Sequence, residues 1–180
     1  MDYSTNPSAI RSREMLTTAL LALMQKKPYA DISIKDISLK ADLNRRTFYR
    51  NFTSKDDILF QYGNKLVVQL GLMIQSKNDF SFPTICESYF EFWSLNLDFL
   101  MLLKNNNLLY FLFEQFNYFH DKLHLFLPAS HAHAKSSPFS AAFALGGFWS
   151  LLVEWLDSGS KQSPNEMAKL ICHTIKDPFA

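Results

Sequence analysis

Ser33 and Asn44 each stand where a helix can begin, and each opens a segment barely two turns long. The Ser33 hydroxyl can accept the free amide of Asp36, whose carboxylate then sits at the favourable N-terminal end of the helix dipole. Ile34, Ile37 and Ala41 fall on one side of that helix, a break follows at Asp42-Leu43-Asn44, and Asn44 caps a further helix from Arg45 to about Phe52. Stubs this short cannot stand as rods. They must cross around a small hydrophobic contact, so this part of the chain is expected to fold as a compact unit of short capped helices.

The flanks fit that unit. Leu16, Ala19, Leu20 and Leu23 recur at helical spacing, which predicts a first helix from about Ser8 to Gln25, ended by Lys26-Lys27-Pro28. Thr53-Ser54-Lys55-Asp56-Asp57 caps a fourth, longer helix that carries Ile58, Leu59, Tyr62, Leu66 and Leu70. Five glycines, seven prolines and no sustained period-two alternation make the whole chain all-α, with about nine helices. The later helices are expected near 83–103, 107–126, 138–157 and 164–176. The last opens on Ser163-Pro164-Asn165-Glu166, a cap, a first-turn proline and a capping-box glutamate.

Charge locates the functional end. Residues 1–60 hold ten Lys/Arg against seven Asp/Glu, whereas residues 61–180 hold eight against ten. The excess coincides with "LNRRTFYRNF", Leu43 to Phe52. Phe48 and Phe52, four apart, share one face with Leu43 beneath them, and Arg45, Arg46, Tyr49 and Arg50 point elsewhere. The rings fix the helix to a scaffold while the polar set is displayed. A helix entering the major groove of DNA needs that division: N-terminal residues reach base edges and the flanks touch phosphates. Arginine can bond both acceptors of a guanine at once.

The run "ISIKDISLKADLNRRTFYRNFTSKDDIL" resembles the DNA-binding domain of the TetR family of transcriptional regulators. Tyr49, Phe52 and Lys55 match that family's pattern in order and spacing, and the likeness covers roughly residues 10–60. Two positions depart from it: Asp42 stands where glycine is common, and Asn51 where histidine is common. The resemblance implies a helix-turn-helix DNA-binding domain, residues 1–55, followed by a helical effector-binding and dimerisation domain, residues 56–180. It implies a homodimer that places two recognition helices in successive major grooves of a near-palindromic operator. On this reading Arg45 and Arg46 read bases, Thr47, Tyr49 and Asn51 hold phosphates, and Ser33, Lys35 and Lys55 fix the register. The protein would act as a repressor released by an effector.

The larger half says less. Fourteen Phe, Tyr or Trp residues fall among the 47 positions of 80–126. Aromatics at helical spacing read first as core. As pocket-lining residues for a small apolar or aromatic effector, Phe90, Trp93, Tyr110, Phe111 and Phe113 are the ones singled out. Ala142, Gly146 and Ser150 repeat every four residues along 138–157, and with Trp149 and Val153 they suggest a face for a four-helix dimer contact with 164–176. "GGFWSLLVEWLDSGSKQSPNEMAKLI" is similar to regulators of the dihydroxyacetone-kinase activator branch, which would make the signal a partner protein and the regulator an activator.

Other classes find little support. No nucleophile–base arrangement, phosphate loop or paired-carboxylate pattern appears, so an enzyme is not expected, nor a cofactor. A helical small-molecule-binding protein without a DNA role would leave the basic helix unexplained. Cys86 and Cys172 are too few for a disulfide framework or a metal cluster. His120 and His124 have a metal-ligand spacing but no convincing third ligand, with His131 and His133 in a loop segment; surface histidines are the expectation. Met1 to Arg13 is polar, and the apolar run Phe139 to Val153 is too short to span a bilayer. The expectation is a cytoplasmic protein with no membrane partner.

Overall fold

A computed structural model describes residues 6–120 and 138–174. Among the described residues every regular element is helical: α1 (Pro7–Met24), a 3₁₀ turn (Tyr29–Asp31), α2 (Ile34–Lys40), α3 (Arg45–Asn51), α4 (Lys55–Ser76), α5 (Phe82–Leu95), α6 (Leu97–Asn105), α7 (Leu109–His120), α8 (Pro138–Asp157) and α9 (Pro164–Thr174). The chain divides into two compact units, residues 1–64 with 102–111, and residues 65–101 with 112–180.

In the first unit α1, α2 and α3 pack on one another. Leu16, Ala19, Leu20 and Met24 of α1 are buried, and Leu23 is only half-buried, so the inward stripe ends on Met24. Ile37, Ala41, Phe48 and Phe52 complete the contact from the helix pair. The caps form as their residue types dictate. Ser33 and Asp36 make a reciprocal capping box, and Asn44 Oδ1 accepts the Thr47 amide at 2.7 Å. Between the two helices Asp42 adopts φ 53°, and the amides of Asp42 and Leu43 return to the carbonyls of Leu39 and Ser38. That is the left-handed helix stop usually filled by glycine, and a short acidic side chain tolerates it.

In the second unit α9 lies on α5, with Met167, Ala168 and Ile171 inward. The Ser163–Glu166 box opens α9 as its sequence signature requires. Aromatic rings join α5 to α8: Tyr89 to Phe148 at 4.9 Å, Phe90 to Trp155 at 5.6 Å, and the Tyr89 hydroxyl donates to the Phe148 carbonyl at 3.3 Å. Burial raises the Tyr89 hydroxyl pKa above the ordinary phenol range. Cys86 is buried and Cys172 half-buried, both as thiols.

One expected helix is two. The segment read as 83–103 breaks at Asn96, whose side-chain amide donates to the Phe92 carbonyl at 2.8 Å while its backbone carbonyl accepts the amides of Phe99 and Leu100. No proline or glycine marks this break. It is made by an asparagine side chain competing for backbone partners. The helix expected over 107–126 starts at Leu109, and residues 121–126 lie outside the described residues, as do Ser137, His124, His131 and His133. No described helix is long and apolar enough to cross a membrane.

Candidate nucleic-acid interface

Phe48 and Phe52 are buried, with ring centroids 6.0 Å apart, and they anchor α3. Leu43 is half-buried in the turn before it. The opposite face is open. Arg45, Arg46 and Arg50 are exposed, and none makes an ion pair or hydrogen bond with a described residue. Tyr49 is 60% exposed, and its ring meets that of Phe48 edge to face at 5.5 Å between centroids. Lys35 is exposed on α2.

The remaining residues singled out in the sequence already have local partners. The Ser33 hydroxyl donates to Asp36 Oδ2 at 2.8 Å, and the Thr47 hydroxyl to Asn44 Oδ1 at 3.0 Å. Asn51 Nδ2 donates to the Thr47 carbonyl at 2.8 Å, leaving the amide one further N–H. Lys55 is the most committed. Its ammonium donates to the carbonyls of Tyr29 at 2.6 Å, Ile32 at 2.9 Å and Ala30 at 3.3 Å, and it lies 4.3 Å from the Tyr29 ring centroid. An ammonium has three donors, so this one is fully used.

The 3₁₀ turn is therefore a hub that the sequence pattern does not reveal. Tyr29 donates its hydroxyl to Asp56 and its backbone N–H to Asn106 Oδ1 at 2.8 Å. Burial first, and the Asp56 carboxylate second, raise the Tyr29 pKa above the ordinary phenol range. Lys27, which as sequence reads as a helix-end cation, pairs with Asp36 at 2.9 Å and holds that carboxylate below its ordinary range, with Ser33 adding two donors. The start of α2 is thus held by Lys27 from the turn after α1, and the 3₁₀ turn before it by Lys55 of α4 and by Asn106 after α6. Tyr29–Asn106 spans most of the first unit's sequence, and no local pattern could have announced it.

Residues 16–62 match the family described as bacterial regulatory proteins, tetR family, and residues 81–177 match a transcriptional regulator C-terminal region. The second match alone covers more than half of the chain. The protein belongs to the TetR family. As in other TetR-family regulators, the helix-turn-helix is its DNA-binding element. An uncharacterized HTH-type transcriptional regulator of Bacillus subtilis, YxbF, is 41% identical over 51 residues, 28% of this chain and 13% of that protein. The fatty acid degradation regulator FadR of Bacillus halodurans has the same fold, with a TM-score of 0.65 over 94% of this chain and 95% of that one at 13% identity. The dihydroxyacetone kinase operon activator DhaS gives 0.52 over 92% and 94% at 18% identity. At such identities the two structures speak for the fold of this TetR-family chain.

Beyond the helix-turn-helix, the TetR-family residues singled out from sequence scatter. Phe90 and Trp93 are fully buried on α5, whereas Tyr110 is about half exposed, Phe113 about a third, and Phe111 is half-buried. Tyr110 and Phe111 fall in the first unit, the other three in the second. On α8, Ala142 and Ser150 are exposed and Gly146, Trp149 and Val153 half-buried. Phe139 and Phe143 stand on the same exposed stripe, and a Cβ at Gly146 would meet nothing within 4 Å.

Proposed function

We propose that this TetR-family regulator is a homodimeric repressor that seats two α3 helices in successive major grooves of a near-palindromic operator and leaves it when an effector binds. The observation that carries the reading is the pair Arg45 and Arg46, exposed and unpaired at the N-terminal end of a helix whose other face is anchored by Phe48. The DNA-binding role is assigned to residues 1–55, effector binding and dimerisation to 56–180. Arg45 and Arg46 read bases. Tyr49, with Thr47 and Asn51, holds phosphates. Lys35 neutralises backbone charge, while Ser33 and Lys55 act as positioning residues through the start of α2. Effector release would act through α4, which begins at Lys55 beside the 3₁₀ turn and continues beyond Asn64. The effector's differential affinity for the two arrangements supplies the coupling, typically about 1–3 kcal/mol.

Operator selection with purified protein, followed by mobility shifts across a salt series, tests the reading. Affinity should fall steeply with salt through counterion release. Arg46→Ala should relax discrimination by about 1–3 kcal/mol at one operator position, and Lys35→Ala should weaken all sequences alike and reduce the salt slope by about 1. A variant Arg46→Ala that keeps the full base preference removes Arg46 from the reading face. The sign of regulation is read separately: operator-driven transcription that falls when the protein is added supports repression, and a rise makes it an activator, with a partner protein as the alternative signal.

The dimer is assigned to the exposed stripe of α8, with α9. Because the space beside Gly146 is open within one chain, Gly146→Glu should leave the circular dichroism spectrum unchanged and yet convert the dimer to monomers at micromolar concentration. Light scattering that finds wild type monomeric there would remove the interface.

A further inference from the structure

The buried polar side chains among the described residues are Ser12, Ser38, Ser88 and Gln115. Three are serines, whose single hydroxyl is easily accommodated in a helix. Gln115 is a full carboxamide, 1% exposed on α7, and neither its Oε1 nor its Nε2 has a hydrogen-bond partner. It lies on the inward face, one turn after the buried Leu112, while its neighbours Phe113 and Glu114 are exposed. Apart from Ser88, the other buried residues described in its unit are apolar or aromatic.

An amide taken out of water without partners is unfavourable, and leucine at the same position would fill the space without that burden. Helix formation does not require glutamine there, since leucine is at least as good a helix former. We infer that Gln115 is the polar recognition group of the effector pocket and that the effector is a neutral ligand with an aromatic or aliphatic body and one edge presenting a hydrogen-bond donor beside an acceptor, such as a primary amide or a lactam. The inference rests on the effector-pocket reading proposed above and narrows it: a wholly apolar effector would leave both amide atoms as unsatisfied as before. A carboxamide edge pairs with Gln115 through two hydrogen bonds, N–H of each to C=O of the other. The body of such a ligand would lie against apolar side chains of the unit, and the buried amide sets its orientation.

The test uses the full chain and two probes of one shape, benzamide and α-methylstyrene, the second lacking both the donor and the acceptor. Titration calorimetry should find benzamide bound about tenfold or more tightly than α-methylstyrene by wild type, because a site built around a buried amide rejects an isostere that cannot pair with it. Gln115→Leu should abolish or invert that preference. Without any probe, Gln115→Leu or the slimmer Gln115→Met should melt above wild type, since each removes unpaired polar atoms from the interior. If both variants melt below wild type, the carboxamide is already satisfied in the free protein and the inference falls. Equal binding of the two probes by wild type also overturns it while leaving the pocket standing. If wild type binds neither probe, the pocket itself is lost, and the inference with it.

Discussion

Phe48→Ala is expected to unfold the first unit while the second survives. The ring is fully buried on α3, which packs on both α1 and α2, and removing so large a buried side chain costs about 3–5 kcal/mol. A whole domain is commonly stable by only about 5–15 kcal/mol, and this unit is a small one. Hydrogen exchange should therefore quicken throughout residues 34–52, while amides of α5 and α9 keep their protection. DNA binding should vanish although no exposed group of α3 has been altered. A variant that melts within about 2 °C of wild type and still shifts DNA would mean that α3 is not anchored by its ring.

Lys55→Met gives the second large effect, and its signature separates two roles for the same charge. As a clamp on the 3₁₀ turn, the ammonium satisfies the carbonyls of Tyr29, Ala30 and Ile32. Hydrogen bonds to a charged group contribute about 1.5–3 kcal/mol apiece and do not add, so the loss should be on the order of 3 kcal/mol, a fall in melting temperature of roughly 10 °C. All DNA sequences should be bound more weakly, with the salt slope little changed. A phosphate contact would behave in the opposite way, leaving the melting temperature intact and lowering the slope by about 1. Thermal denaturation together with mobility shifts at several salt concentrations decides between them.

What the sequence made legible, and what it hid, follows from the range of the forces involved. Ser33, Asn44 and Ser163 act on amides three residues away, so the caps of α2, α3 and α9 could be read in advance. The division of α3 into an anchored and a displayed face is equally local, because Phe48 and Phe52 are one turn apart. Asn96 is local too, yet the pattern conceals its break: a polar residue inside an apolar run looks like a solvent-facing position until its amide takes the Phe92 carbonyl. Tyr29 and Asn106 were out of reach altogether, since their hydrogen bond depends on how distant segments pack. The aromatic run divided for another reason. Phe90 and Trp93 face inward while Tyr110 and Phe113 do not, and rings at helical spacing look alike until the neighbouring helices are placed. Gln115, by contrast, gave no signal in the pattern, because glutamine is an ordinary helix residue wherever water can reach it.

The ten residues from Leu102 to Phe111 belong to the first compact unit although they follow far along the chain. An N-terminal fragment cut after Asn64 would leave them behind, and with them the acceptor for the Tyr29 amide. Nor is there an exposed linker to cut, because the divisions fall within α4, α6 and α7. Limited digestion is therefore a poor route to an isolated operator-binding piece, and a shortened gene product would be missing part of its own foundation.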